Sequence, residues 1–140
     1  MAEPIDRQAS MDAIAKLIKE EEEKIKKLEE RRKERQKDGR DTEDLDKEIE
    51  NERSKIAGKN EVGGKDGVID QFGQMDAIDA LIKKERDSLK ELQDKVEQKR
   101  KSASIPRTEV QQDEIDQLDG DIRRLKHKIE GKEEAKGAVR

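Results

Sequence analysis

The chain has 140 residues, enough for one domain, yet half are Asp, Glu, Lys or Arg and only 29% are hydrophobic, against roughly 45–50% in an ordinary domain. That composition excludes a conventional globular core, and with 33 cations against 37 anions the net charge is only −4, too small for charge-driven disorder. Balanced charge at this density, with Ile and Leu as the main apolar residues, is the composition of long solvated helices and coiled coils.

The absence of cysteine excludes disulfides, thiol nucleophiles and Cys-ligated zinc. No apolar run reaches the roughly 18 residues of a membrane span. The start, Met1-Ala2-Glu3-Pro4, lacks the basic and apolar regions of a secretory signal. An intracellular, cytoplasmic protein is therefore expected, without membrane insertion.

In chain order, Ile5–Leu28 aligns with Ile69–Leu92 at a constant offset of 64, with 12 of 24 positions identical. The later parts match at offset 73, pairing Leu45, Ile49, Ile56 and Gly58 with Leu118, Ile122, Ile129 and Gly131. Length change is tolerated in connections and not inside packed helices. The change of offset thus divides each repeat into two helices.

Met11, Ile14, Ile18, Glu21, Ile25 and Leu28 follow the 3-4 spacing of a coiled-coil seam. So do Met75, Ile78, Ile82, Glu85, Leu89, Leu92 and Val96, and both seams carry Glu at the same place. The later seams read Leu45, Ile49, Glu52, Ile56 and Ile115, Leu118, Ile122, Leu125, Ile129. Pro106 supports a bend in the second repeat. In the first, one helix running through Gly39 remains an alternative.

Charge favours the bend. Residues 31–40 hold six cations and two anions, and 41–54 seven anions and two cations. Residues 95–107 hold five cations and one anion, and 108–121 six anions and no cation. Folded back on each other, these stretches attract. The fold class is thus all-α: two tandem antiparallel coiled-coil helical hairpins, four helices near 10–37, 42–58, 74–101 and 108–131, joined by a Gly-rich linker. Thr108 with Gln111 reads as a capping box, and Asp41 or Thr42 can cap the second helix. The first hairpin repeat occupies 1–58, the linker and second-repeat entry 59–73, the second hairpin repeat 74–131 and a tail 132–140. Gly131-Lys-Glu-Glu-Ala135 echoes Gly58-Lys-Asn-Glu-Val62, as if another linker began there. One hairpin buries a single stripe, so the hairpins are expected to pack on each other, self-associate or gain stability on a partner.

Little chemistry-bearing pattern remains. Lys65–Asp70 resembles half of a calcium loop, but Val62 and Gly64 stand where ligands should be. Gly63-Gly64-Lys65 fails the phosphate-loop pattern. His127, the single histidine, falls on the outward face. No catalytic residue, metal site or cofactor is expected, and the chain reads as a non-enzyme.

Interaction candidates are Glu21 and Glu85, which interrupt the seams, and the basic residues Arg31, Arg32, Arg35, Lys99, Arg100 and Lys101. A seam Glu either fixes register through a Lys or Arg opposite, so that leucine at both positions raises the melting temperature, or marks a recognition face. Lys101-Ser102-Ala103-Ser104-Ile105-Pro106 has spacings resembling those read by phosphoserine-binding adaptor proteins, which makes Ser104 a candidate phosphosite.

The expected role is a coiled-coil structural or adaptor protein that binds protein partners or itself, as a homo-oligomer or part of a larger assembly, with no small-molecule substrate. The alternatives are a signalling-partner module, such as a small-GTPase binder with one site per hairpin, and a nucleic-acid-binding hairpin. The last is disfavoured by the acidic neighbours of each basic run and the lack of aromatic residues to stack on bases.

Overall fold

The computed structural model describes residues 4–140, so the reading of residues 1–3 as non-secretory lies outside them. The described chain is all-helical, with four long helices, α1 (Arg7–Lys37), α2 (Glu43–Gly63), α4 (Met75–Ser102) and α5 (Glu109–Gly137), and one short turn, α3 (Val68–Phe72).

Local chemistry accounts for the ends. The Asp6 carboxylate accepts the Ala9 N–H at 3.0 Å to start α1. At its other end Gly39 adopts φ +68°, and the Gly39 N–H donates to the Gln36 carbonyl at 3.1 Å. Glycine takes that left-handed conformation without steric cost, so the chain leaves the helix there and no continuous rod forms through residue 39. Asp41 accepts the Glu43 N–H at 3.0 Å, whereas the Thr42 hydroxyl bonds Asp46. The capping box of α5 is present: Thr108 Oγ1 accepts from Gln111 N at 3.1 Å, and Gln111 Oε1 accepts from Thr108 N at 3.0 Å.

α1 runs antiparallel to α2, since partner numbers fall along one helix as they rise along the other. Arg35 pairs with Asp44 at 2.6 Å, Arg32 with Asp46, Glu29 with Arg53 at 3.1 Å and Glu21 with Lys59 at 2.8 Å. α4 and α5 repeat this arrangement, with Arg100 on Asp119 at 2.8 Å, Lys99 on Glu114 at 2.9 Å and Arg86 on Glu133. Basic and acidic stretches thus face each other within each pair. Inside the pairs lie Ile25, Leu45 and Ile49, and Val96, Ile115, Leu118 and Ile122.

The two pairs join through α2 and α5, which run parallel. Arg123 reaches Asn51 at 3.0 Å, Arg124 reaches Glu50 at 2.5 Å, Lys55 reaches Glu130 at 3.3 Å and Lys59 reaches Glu134 at 2.7 Å. Of the ways to cover a single buried stripe, the chain uses packing of one repeat on the other. α1 and α4 flank the central α2–α5 pair, and both the α1–α2 and α4–α5 connections emerge at the same end. The opposite end holds the main core of Ile14, Val62, Ile69, Ile78, Ile82, Ile129 and Ala135. There the start of α1 is tied to Arg140, with the Asp6 N–H donating to the Arg140 carbonyl at 3.0 Å and the Arg140 N–H donating to Ser10 Oγ at 2.8 Å.

The helix ends expected at residues 58 and 131 are corrected by this packing. α2 continues through Gly58 to Gly63, and α5 through Gly131 to Gly137. Residues 59–63 are therefore helix and not linker, and most of the expected tail is the last part of α5. The two glycines are crossing points. A β-carbon on Gly58 would lie well inside 3.0 Å of the Lys128 carbonyl oxygen, and one on Gly131 equally close to that of Lys55. Lys55 and Lys128 are themselves equivalent at offset 73. Each repeat thus presses the same glycine against the same backbone carbonyl of the other.

One seam position is mismatched. Glu52 is the repeat counterpart of Leu125, and its Oε2 is buried without a hydrogen-bond partner. Glu52→Leu is expected to raise stability by about 1 kcal/mol, because it removes a buried acceptor and adds apolar burial. Lys55 retains Glu130 in that variant. A urea midpoint at or below the parent value would count against this packing.

Candidate functional site

Continuing the seam spacing past Ile56 and Ile129 brings the next inward positions to Lys59 and Lys132. Both are buried, at 1% and 0% exposure, among the most enclosed side chains in the molecule. A lysine there requires anionic partners, because an unpaired buried ammonium is strongly unfavourable.

Each lysine has two. Lys59 Nζ lies 2.8 Å from Glu21 of α1 and 2.7 Å from Glu134 of α5. Lys132 Nζ contacts Glu85 of α4 and lies 2.5 Å from Glu61 of α2. Glu21 and Glu85 are equivalent at offset 64, and Glu61 and Glu134 at offset 73. Each lysine therefore ties its own helical pair together and reaches across to the other repeat. The sequence singled out both seam carboxylates, Glu21 and Glu85, and they stand at this junction. It did not single out Lys59, Lys132, Glu61 or Glu134, although the unbroken 3-4 spacing through both lysines was the signal.

Lys128 adds a further charge, 2.6 Å from Glu61 and 3.7 Å from Glu85. Burial pushes the Glu61 carboxyl up, but hydrogen bonds from Lys128 and Lys132 outweigh it and hold the group below the usual carboxylate range. Burial likewise pulls Lys128 down, and Glu61 outweighs that effect, leaving the ammonium above the usual lysine value. A lowered carboxylate contributes stability that is present above its unfolded pKa and lost as pH falls through the folded value. A raised lysine contributes stability that is present below its unfolded pKa and lost as pH rises through the folded value. The melting temperature should therefore plateau and fall below about pH 4 and above about pH 10. Glu61→Gln should flatten the acid limb. An acid limb of unchanged steepness in that variant would contradict the assignment.

The basic candidates lie toward the connections, away from this junction. Arg32, Arg35, Lys99 and Arg100 are paired across their helical pairs. Lys101 pairs along its own helix with Glu97 at 3.1 Å. Arg31 is exposed and has no ion pair among the described residues. Ser104 lies in the α4–α5 connection, close to Gln111.

Among the described residues no group of three or more His, Asp or Glu side chains is placed to hold a metal ion, and no helix is long and apolar enough to cross a membrane. His127 lies beside Glu130 at 3.2 Å. Comparison with protein-family models, with curated proteins and with solved structures finds no match to this chain.

Proposed function

We propose that the chain is a non-enzymatic coiled-coil adaptor: two tandem antiparallel coiled-coil hairpins, joined through a glycine-containing linker, that present helical surfaces to protein partners in the cytoplasm. The observation that carries this reading is the parallel packing of α2 on α5. It engages the inner faces of the two repeats with each other and sends both connections, around Gly39 and around Ser104, out at one end. A body so built offers two similar tips at a set spacing, which suits a partner that spans them.

The outer faces of α1 and α4 support a second reading. They are repeat equivalents, so a partner recognising one can recognise the other, as in a signalling-protein binder with one site per hairpin. Nucleic-acid binding fits less well, because most cations of the basic runs already face carboxylates and Phe72 is the only aromatic residue.

Affinity capture from the native cell, followed by stoichiometry of the purified complex, separates these readings. One partner per chain, released by charge reversal at both tips, supports the adaptor. Two partners per chain support the one-site-per-hairpin module. Concentration-dependent assembly of the pure chain alone would favour a self-assembling scaffold. Nanomolar RNA or DNA binding with steep salt dependence would overturn the protein-adaptor reading.

A further inference from the structure

Two serines follow one basic run at the end of α4: Ser102 stands directly after Lys99, Arg100 and Lys101, and Ser104 two residues later. The structure separates them. Ser102 is the last residue of α4, and its hydroxyl donates to the Gln98 carbonyl of the preceding turn at 2.9 Å. Ser104 is exposed and outside the helix, with its hydroxyl 2.7 Å from Gln111 Oε1 and 3.0 Å from the Pro106 carbonyl. Arg100, Lys101 and Arg107 line the same shallow concavity as Ser104, and Ile105 beside it is 99% exposed.

We propose that Ser104 is a phosphorylation site for a basophilic serine kinase, and that its phosphate switches the conformation of the α4–α5 connection. Ser104 Oγ attacks the γ-phosphorus of a nucleoside triphosphate, and the bond to the diphosphate breaks with its electron pair leaving on the nucleoside diphosphate. The hydroxyl proton passes to a carboxylate of the kinase. Presenting Ser104 in extended form requires only the final turn of α4 to unwind, whereas Ser102 requires a longer stretch.

The switch follows from hydrogen-bond inventory. The hydroxyl donates into a site of two acceptors, Gln111 Oε1 and the Pro106 carbonyl. A phosphate carrying close to two negative charges has no proton to give them. Gln111 Oε1 also accepts from Ser104 N at 3.2 Å and Thr108 N at 3.0 Å, so it cannot turn away without releasing both amides. The phosphate therefore moves toward Arg107, whose present partner is the neutral Gln112 side chain at 3.1 Å. The Ser104 link to the α5 cap is lost in the process.

The full chain, incubated with magnesium, ATP and the catalytic subunit of a cyclic-nucleotide-dependent kinase, is expected to gain one phosphoryl group, mapped by fragmentation to Ser104. Ser102→Ala should still accept it and Ser104→Ala should not. In the phosphorylated chain, amide hydrogen exchange at Ser104 should quicken about tenfold or more, the consequence of losing one hydrogen bond's protection, whereas the Thr108 amide keeps Gln111 and should exchange as before. No incorporation, or incorporation at Ser102 or Thr108 instead, would overturn the site. Phosphorylation at Ser104 with unchanged exchange at the Ser104 amide would overturn the switch.

Discussion

Lys59→Met lowers the unfolding free energy by about 3–5 kcal/mol, the range for breaking a buried ion pair by removing one partner. The substitution keeps most of the side-chain volume, so the loss reports charge and not a cavity. Glu21 is the group left behind: its side chain is 7% exposed, its Oε2 already lacks a hydrogen-bond partner, and Lys59 is its ion-pair partner. Glu134, at 39% exposure, returns to solvent at little cost. Adding Glu21→Leu to Lys59→Met should therefore restore stability to the parent value or above, because buried ion pairs replaced by packed apolar side chains are often neutral or better. Glu21→Leu alone should lose less than Lys59→Met, since Lys59 keeps Glu134. The same logic revises the expectation that leucine at both Glu21 and Glu85 raises the melting temperature. With Lys59 and Lys132 buried opposite, the gain requires replacing the lysines too. Chemical denaturation of the two single variants and the double variant gives the coupling directly, and additive losses would contradict the pairing.

Gly58→Ala and Gly131→Ala each destabilise the chain by about 3 kcal/mol, at the upper end of overpacking costs. Alanine in place of glycine inside a helix ordinarily gains up to about 1 kcal/mol. The sign reverses here because the new methyl group meets a backbone carbonyl of the other repeat, and a carbonyl cannot swing aside as a side chain can. Gly137 provides the control: it lies in the same helix as Gly131, and a β-carbon there has nothing within 4 Å. Gly137→Ala is expected to be neutral or mildly stabilising. Equal effects at Gly131 and Gly137 in thermal melts would mean that α2 and α5 do not cross at the glycines.

Sequence reasoning passed over Lys59, Lys132 and the crossing role of Gly58 and Gly131, and the reason is physical. A glycine after an apolar seam is equally compatible with a helix stop and with a close helix crossing, because absence of a β-carbon serves both. The echo of Gly58-Lys59 in Gly131-Lys132 was visible in the sequence, and flanking Asn, Glu and Gly residues made it look like paired linkers. What argued otherwise was register. Lys59 and Lys132 stand at the next seam position after Ile56 and Ile129, opposite seams that each contain one glutamate. A polar residue on one seam usually signals a complementary residue on its partner, and here the complement lay inside what composition marked as loop.

Other parts were legible because they depend on local rules. The 3-4 apolar spacing and the Thr108–Gln111 capping box are each written within a few residues, whereas spacing alone left the break at Gly39 open against one helix running through it. The facing of basic on acidic stretches follows once the chain turns back at those breaks. The parallel approach of α2 to α5 has no local signature, because it joins residues 67 to 76 apart through glycines and long charged side chains rather than an apolar stripe. Duplication of the repeat supplies both halves of the central crossing at once: Lys59–Glu134 has its counterpart in Lys132–Glu61 and Gly58 in Gly131, whereas Lys55–Glu130 has none because Ala57 stands at the position equivalent to Glu130.

The two repeats close on each other within one chain, α2 parallel to α5. The chain has no native cysteine, so spin labels can be placed at will. Lys47→Cys and Asp116→Cys put labels on α2 and α5 at the rim of one shallow concavity. Pulsed electron–electron distance measurement should give a single short, narrow distance that does not change on dilution with unlabelled chain. A broad distribution extending to long distances would show repeats that swing independently, and a short distance lost on dilution would show contact between different chains. Either result would contradict the closed arrangement.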